Sequence, residues 1–268
     1  MAAKNLLVEL FVEELPPKVL PFLGYAFANL LVRELQAAGL ADVGHTPIDY
    51  ASPRRLAACI FSVRAQAEER FISQKLMPVS VGLNSSGGAT PALLKKLASL
   101  GGGPADVSSL KRQMDGKAEA LYFDSVVVGD TLAEGLQKAL DVAVAKLPIP
   151  KVMQYQLADG WTSVSFVRPV HGLVALHGDE IVPVQVLGLH AGRSTRGHRF
   201  EARLDPIDLA HADEYAQRLE ADGAVIASFA ERRAEIARQL AAAAAREGLV
   251  PIDDDALLLR SPIGARLE

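Results

Sequence analysis

The chain has 268 residues, a formal net charge of −4, and 50% hydrophobic and 22% charged residues. This composition excludes a disordered tail and argues against a protein that coats DNA nonspecifically. The single cysteine, Cys59, cannot form an internal disulfide, and neither a signal peptide nor an apolar run of about 18 residues, the length of a membrane span, is present. We therefore expect a cytoplasmic protein with no membrane or DNA partner.

The N-terminal region predicts a strand, a helix and a second strand. Residues 5–12 form an apolar run of strand length, and the two prolines after it suit a helix start. From Lys18 onwards, leucine and phenylalanine recur every three or four residues, which predicts an amphipathic helix ending near Gly39. Residues 58–63 then read as a strand.

The middle of the chain is interrupted by turn clusters. Glycine-rich breaks at 84–88 and 101–104 flank a short helix predicted at 91–100, and a strand follows at 121–128. We interpret residues 66–118 as an insertion or smaller lobe.

The second half begins with a helix signal and then turns to strands. Thr131 and Glu134 fit a capping box ahead of an apolar helical face. Two apolar runs at 173–176 and 181–186 flank a Gly-Asp pair, which predicts a hairpin. A long alanine-rich helix reaching about Glu247 comes last.

These elements predict an α+β fold with mixed or antiparallel β-sheets, packed amphipathic helices and a long C-terminal Ala-rich helix. We assign residues 1–65 together with 119–200 to an α/β core. Residues 66–118 form the insertion or smaller lobe, and residues 201–250 form a helical segment.

Motifs of a self-contained active site are missing from the sequence. It contains no GxxxxGKS/T phosphate loop, no CxxC, no HExxH and no GxSxG. We therefore expect no catalytic residue, no metal site and no cofactor bound by this chain.

Two charged motifs lie in the first quarter of the chain. Glu13-Glu14 offers a carboxylate pair for acid–base chemistry, although charge near a helix N-terminus is the preferred interpretation. Arg54 and Arg55 precede a strand, and adjacent residues of an extended segment point to opposite faces. One of them can pair internally while the other contacts a phosphate.

Two further motifs lie between residues 166 and 203. Arg168 and His171 either flank an RNA backbone or form a satisfied internal pair. Arg193, Arg196, His198, Arg199 and Arg203 combine with hydroxyls, a glycine and an aromatic ring, a combination typical of RNA backbone recognition. The alternative is that these arginines pair with the acidic stretch at 205–222.

Five motifs follow one another along the chain: Val8-Glu9-Leu10 with Glu13 to Lys18, Pro53 to Ala57, Lys146 to Met153, Phe166 to His171, and Arg196 to Phe200. Taken in this order, they resemble the β subunit of bacterial glycyl-tRNA synthetase, over about residues 5–258. Two departures stand out. Gln154-Tyr155 replaces the family's tryptophan, and residues 259–268 do not match the family and are set aside as a tail.

The resemblance implies a two-subunit glycine–tRNA ligase of α2β2 composition. ATP, with magnesium, and glycine are used on the α subunit, whereas the β subunit binds tRNA(Gly) and is required for aminoacylation. The family's chains are much longer than this one, so the resemblance covers their N-terminal part, which supports contact with the α subunit and binding of tRNA.

Charge clustering and the resemblance together give seven candidate tRNA-binding residues, namely Arg54, Arg55, Arg168, Arg193, Arg196, His198 and Arg199. Two alternatives stay open. In the first, this part docks the α subunit, its arginines pair internally and it touches no RNA. In the second, Glu13 or Glu14 acts with His171 in an independent hydrolase.

Overall fold

The computed structural model describes residues 3–84, 86–115 and 118–252, and it has a mixed α+β fold with antiparallel sheets and packed helices. The strands are, in chain order, β1 (Lys4–Val12), β2 (Ile48–Ser52), β3 (Arg55–Val63), β4 (Arg70–Pro78), β5 (Lys111–Asp115), β6 (Ala118–Val127), β7 (Met153–Gln156), β8 (Ser163–Phe166), β9 (Val170–His177), β10 (Glu180–Ile181), β11 (Gln185–Val186), β12 (Leu189–His190), β13 (Ser194–Thr195) and β14 (Ile207–Asp208).

The helices begin with α1, which follows a 3-10 turn at Pro17–Val19. They are α1 (Leu20–Ala37), α2 (Val79–Gly82), α3 (Pro91–Ala98), α4 (Leu132–Lys146), α5 (Tyr215–Gly223) and α6 (Phe229–Arg246). Among the helices of the described ranges, none combines the length and the hydrophobicity needed to cross a bilayer.

The described chain forms two compact units. The first takes in the residues up to Ala67 and those from Asp130 onwards, and the second is Glu68–Gly129. Strand β6 belongs to the second unit, so this unit reaches further towards the C-terminus than the 66–118 stretch singled out in the sequence. The tail at 259–268 lies outside the described residues.

The first unit is built on a five-stranded antiparallel sheet in the order β10-β9-β1-β3-β2. Strand β1 lies in its centre, where Val8 pairs with Ala58 of β3 and with Ala175 of β9. Since side chains alternate along a strand, β1 sends Leu6, Val8, Leu10 and Val12 to one face. It sends Leu7, Glu9 and Phe11 to the other.

The first of these faces is covered by α1 and α4 and is almost wholly apolar. Leu31 of α1 and Leu136 of α4 are fully buried there. Helix α4 begins with the expected capping box, in which the Glu134 carboxylate accepts hydrogen bonds from the Thr131 amide (2.9 Å) and hydroxyl (2.8 Å). We call this side of the sheet the helical face.

The second face packs against α5 and the chain leading into it. Its buried apolar residues include Leu7, Val174 and Leu219, but it also buries the Glu9 carboxylate, which is 1% exposed. That carboxylate accepts hydrogen bonds from the hydroxyls of Thr195 and Tyr215. We call this side the polar face.

The second unit contains a three-stranded antiparallel sheet in the order β4-β6-β5. Its small core joins Leu93 and Leu97 of α3 to Leu121 and Phe123 of β6. Strand β4 was not predicted because its apolar residues come in adjacent pairs, Phe71-Ile72 and Leu76-Met77, and do not alternate with polar ones.

Strand β3 differs from its sequence prediction. The strand predicted at 58–63 begins three residues earlier and forms a hairpin with β2, and the arginine motif lies at its turn. Trp161 is 90% exposed, in a turn between β7 and β8.

Candidate nucleic-acid interface

Two loops of the first unit meet at the edge of the polar face. One is the turn between β2 and β3, and the other follows β13 and carries Gly197 to Phe200. The second loop is held by a hydrogen bond from the His198 amide to the Gly223 carbonyl (2.7 Å). A Cβ atom on Gly197 would lie 2.5 Å from the Gly223 Cα, so only glycine allows this approach.

The loops enclose two adjoining cavities, which we call the first and second arginine cavities. The first has a volume of about 180 Å³ and is lined by Arg54, Arg55, Arg199, Arg232, Glu14, Ser52, Pro53, Gly197, His198, Phe200, Val225 and Ile226. The second has a volume of about 450 Å³ and is lined by Phe11, Glu13, Arg54, His171, Arg196, Gly197, Arg199 and Asp205. Arg54, Gly197 and Arg199 line both.

Arg54 and Arg55 turn to the same aromatic ring. Their guanidinium carbons lie 4.8 Å and 5.7 Å from the centre of Phe11. The expectation that they point to opposite faces is therefore wrong, because Arg54 lies in the turn and only Arg55 lies in the strand. Arg54 stays partly exposed, with Nη2 3.8 Å from Glu13 Oε1. Arg55 is buried and donates from Nη2 to the Arg196 carbonyl (2.6 Å).

The loop after β13 presents its cations to solvent. Arg196 pairs with Asp205 at 3.2 Å while keeping 59% of its side chain exposed, and Arg199 is exposed. Phe200 is 85% exposed and meets the His198 ring edge-on, with 6.2 Å between ring centres. Exposed guanidinium groups beside an exposed ring can contact phosphates and stack on a base.

Part of the basic segment pairs with the acidic stretch, as the alternative interpretation expects. Arg203 and Arg218 both pair with Asp222, whose side chain is 1% exposed. The hydrogen bond from Arg203 lowers the pKa of the Asp222 carboxyl. Arg203 therefore has an ion-pair partner within the chain, and this pair ties the loop after β13 to α5.

Two sequence-predicted residues line neither arginine cavity. Arg168 donates to the Val167 carbonyl (3.0 Å), and Arg193 donates to the carbonyls of Asp179 (3.0 Å) and Leu209 (3.3 Å). Asp179 lies beside Lys4, at the start of β1. The second arginine cavity is lined by Phe11 and Glu13, near the other end of β1.

Arg232 completes the first arginine cavity and was not singled out in the sequence. It is 5% exposed and donates to the carbonyls of Ile226 (3.0 Å) and Ala51 (2.9 Å). Burial, together with the nearby charge of Arg55, lowers its pKa to about 10. One signal was available, because Arg232 lies three residues after Phe229 and four before Ile236, which places a charge within the apolar stripe of α6.

The structure also brings together Glu13 and His171, as the hydrolase alternative requires. The His171 Nε2 and Glu13 Oε1 atoms are 2.8 Å apart, whereas Glu14 is exposed and lines the first arginine cavity. Among the described residues, no hydroxyl or thiol bonds to His171, so the pair lacks the nucleophile of a hydrolytic triad. Within the same ranges, no group of three or more His, Cys, Asp or Glu side chains could hold a metal.

Comparison with known proteins points to a single family. Residues 6–261 match the profile of the family described as glycyl-tRNA synthetase beta subunit. A protein of Leptothrix cholodnii named glycine–tRNA ligase beta subunit is 66% identical over 258 residues, and namesakes from Dechloromonas aromatica and a Janthinobacterium are 63% and 58% identical. Each match covers 96% of this chain but only 36–38% of the relative.

Proposed function

The chain belongs to the glycyl-tRNA synthetase β-subunit family, and we propose that it serves as the N-terminal, tRNA-binding part of a glycine–tRNA ligase. In this proposal an α subunit catalyses the ATP-dependent aminoacylation, using Mg-ATP and glycine. The present chain binds no cofactor and contributes no catalytic group. It works in the cytoplasm, within an α2β2 assembly.

The proposed mechanism is positional. The arginine cavities hold the backbone of tRNA(Gly) so that the 3′ end reaches the activated glycine on the α subunit. Holding two reactants in place raises their effective concentration, and this requires no reacting group from the holding surface.

The observation that supports the proposal is that Arg54, Arg196 and Arg199 converge on adjoining cavities although two of them are far from the third in sequence. Guanidinium forks suit phosphate oxygens. The exposed Phe200 ring offers a stacking surface beside them.

A salt titration of tRNA binding tests this proposal. Replacing Arg196 and Arg199 together by alanine should flatten the slope of log affinity against log salt by about 1.5, since each lost phosphate contact removes about 0.7–0.9. Arg238→Ala is the matched control, because Arg238 pairs with Glu235 on α6 and lines neither arginine cavity. An unchanged slope in the folded double variant would remove these two residues from the interface.

A docking role without RNA contact is the second candidate. Two observations favour it. Arg196 already has a partner within the chain, Asp205, and Phe22 and Tyr25 of α1 are 57% and 59% exposed. Retention of the α subunit without retention of tRNA would support docking alone. Replacing Phe22 and Tyr25 by serine should then release the α subunit.

A further inference from the structure

Two arginine side chains are buried at the first arginine cavity. Arg55 is 2% and Arg232 is 5% exposed. Their hydrogen bonds go to main-chain carbonyls, from Arg55 to Arg196 and from Arg232 to Ala51 and Ile226. A carbonyl is neutral, so these bonds satisfy donors without cancelling the two positive charges.

Two of the hydrogen-bond donor atoms of Arg55 are unpaired within the described ranges. Its Nε and Nη1 atoms are buried and have no hydrogen-bond partner among the described residues. Burying a charged donor without a partner is unfavourable, and removing it from water makes its attraction to an anion stronger. Arg55 also lines the first arginine cavity, so an anion held there would lie close to this buried charge.

The carboxylates near this cavity do not balance its charge. Its lining contains four arginines and one glutamate, which gives a formal net charge of +3. That glutamate, Glu14, is exposed. Glu9 is buried on the same face as Arg55, and the neutral hydroxyls of Thr195 and Tyr215 that donate to it do not cancel its charge. When Glu9 and Glu13, the partner of Arg54, are also counted, the four arginines still exceed the three carboxylates by one charge.

The size of the cavity limits what can enter. A volume of about 180 Å³ is below the roughly 300–1,000 Å³ of pockets that enclose whole small-molecule ligands. It suits a single oxyanion group attached to something larger. We infer that the first arginine cavity takes one phosphate group of an RNA backbone, with Arg55 and Arg232 as the inner donors and Arg199 as the outer one.

The surroundings of the first arginine cavity favour an RNA phosphate over a protein carboxylate as the anionic group that binds there. The second arginine cavity adjoins the first and shares Arg54 and Arg199 with it, which suits a ligand that carries repeated anionic groups. Phe200 borders the first cavity and is 85% exposed, in position to stack on a base next to the bound phosphate. The inference rests on the proposed function. It adds Arg232 to the residues that contact RNA, and it assigns one phosphate of the RNA to the first arginine cavity.

The first arm of the test uses inorganic phosphate as the probe. The unfolding temperature of the full 268-residue chain is compared in phosphate, acetate and chloride at equal ionic strength, for the unsubstituted protein, Arg232→Gln and Arg238→Gln. Phosphate also stabilises proteins in general, because it is excluded from their surfaces. The readout is therefore the difference between variants in the same buffer.

We expect the unsubstituted protein and Arg238→Gln to gain about 2–4 °C more from phosphate than Arg232→Gln does. If Arg232→Gln fails to fold, Arg199→Ala takes its place, because Arg199 is exposed, and it should lose the same gain. Equal gains in all variants would overturn the inference. The inference would also be overturned if the difference in unfolding temperature between the unsubstituted protein and Arg232→Gln were as large in acetate as in phosphate. The cavity would then be a site for carboxylates.

The second arm identifies the source of the phosphate. A pool of tRNA(Gly) is ethylated at random backbone phosphates, and the bound and free fractions are compared position by position. Ethylation removes the charge, so we expect depletion of about tenfold from the bound fraction at one phosphate with the unsubstituted protein and with Arg238→Gln. The depletion at that phosphate should disappear with Arg232→Gln.

The outcomes separate the inference from the proposed function. If tRNA binds but no phosphate depends on Arg232, the inference fails and the proposed function stands. If tRNA does not bind at all while inorganic phosphate still stabilises through Arg232, the proposed function fails and the cavity is a site for free phosphate, which overturns its assignment to RNA.

Discussion

The two faces of the central sheet bury different kinds of side chain. On the helical face, Leu6, Val8 and Leu10 pack against the leucines of α1 and α4. The residues of β1 that alternate with these, Leu7, Glu9 and Phe11, point to the polar face. There the Glu9 carboxylate is fixed by hydroxyls and two guanidinium groups lie near Phe11.

Because of this difference, we expect the helical face to determine the stability of the fold and the polar face to determine the binding of anions as well. Apolar burial on the helical face contributes free energy without directional demands. On the polar face, each buried charge or hydroxyl needs a partner in a fixed place, which positions the surrounding loops. We therefore expect changes to the helical face to alter stability alone, whereas changes to the polar face alter stability or the binding of anions.

The largest effect on stability is expected in the helical face. Leu31 is fully buried, so Leu31→Ala should lower the free energy of unfolding by about 3 kcal/mol, through lost burial and the cavity that remains. Urea denaturation measures this value. Tyr25→Ala, on the exposed side of the same helix, should change it by less than about 0.5 kcal/mol. Similar losses in both variants would show that α1 does not pack as described.

A smaller effect is expected from the buried carboxylate of the polar face. Burial raises the pKa of Tyr215 well above its usual value, so its hydroxyl remains a donor at neutral pH. Glu9→Ala leaves the Thr195 and Tyr215 hydroxyls without an acceptor and should cost about 2 kcal/mol. Glu9→Gln keeps one acceptor oxygen and should cost less. If both substitutions proved equally costly in urea denaturation, the hydrogen bonds would not be the source of the effect.

The smallest effect is expected at the N-terminus of α4. Thr131→Ala removes one half of the capping box and should cost about 1 kcal/mol in thermal or urea unfolding. Thr131→Ser retains the hydroxyl and serves as the control. Neither variant should alter the salt dependence of tRNA binding, because Thr131 belongs to the helical side of the unit. A changed salt dependence would break the separation between the two faces.

Local sequence signals predicted several elements of the first unit well. The apolar periodicity of α1, the capping box of α4 and the Gly178-Asp179 turn of the β9–β10 hairpin are each encoded within a few residues. Because such signals do not depend on the rest of the chain, they can be predicted from the local sequence.

The arrangement of the arginines could not be read in the same way. Arg55 meets the Arg196 carbonyl across 141 residues of sequence, and that contact depends on the register of β3 and the path of the loop after β13. The basic segment at 193–203 appeared to be one surface. Instead, Arg193 donates to the carbonyls of Asp179 and Leu209, whereas Arg196 pairs with Asp205 and Arg203 with Asp222.

In the proposed function, folding gathers particular arginines into the two arginine cavities, which hold the RNA backbone. Two double variants, compared by the slope of log tRNA affinity against log salt, test this gathering. Arg54→Ala with Arg199→Ala removes the two arginines shared by both cavities, and we expect the slope to flatten by about 1.5. Arg168→Ala with Arg193→Ala removes two arginines outside the cavities and should leave the slope unchanged. Equal flattening in both folded variants, or none in the first, would contradict the proposed function.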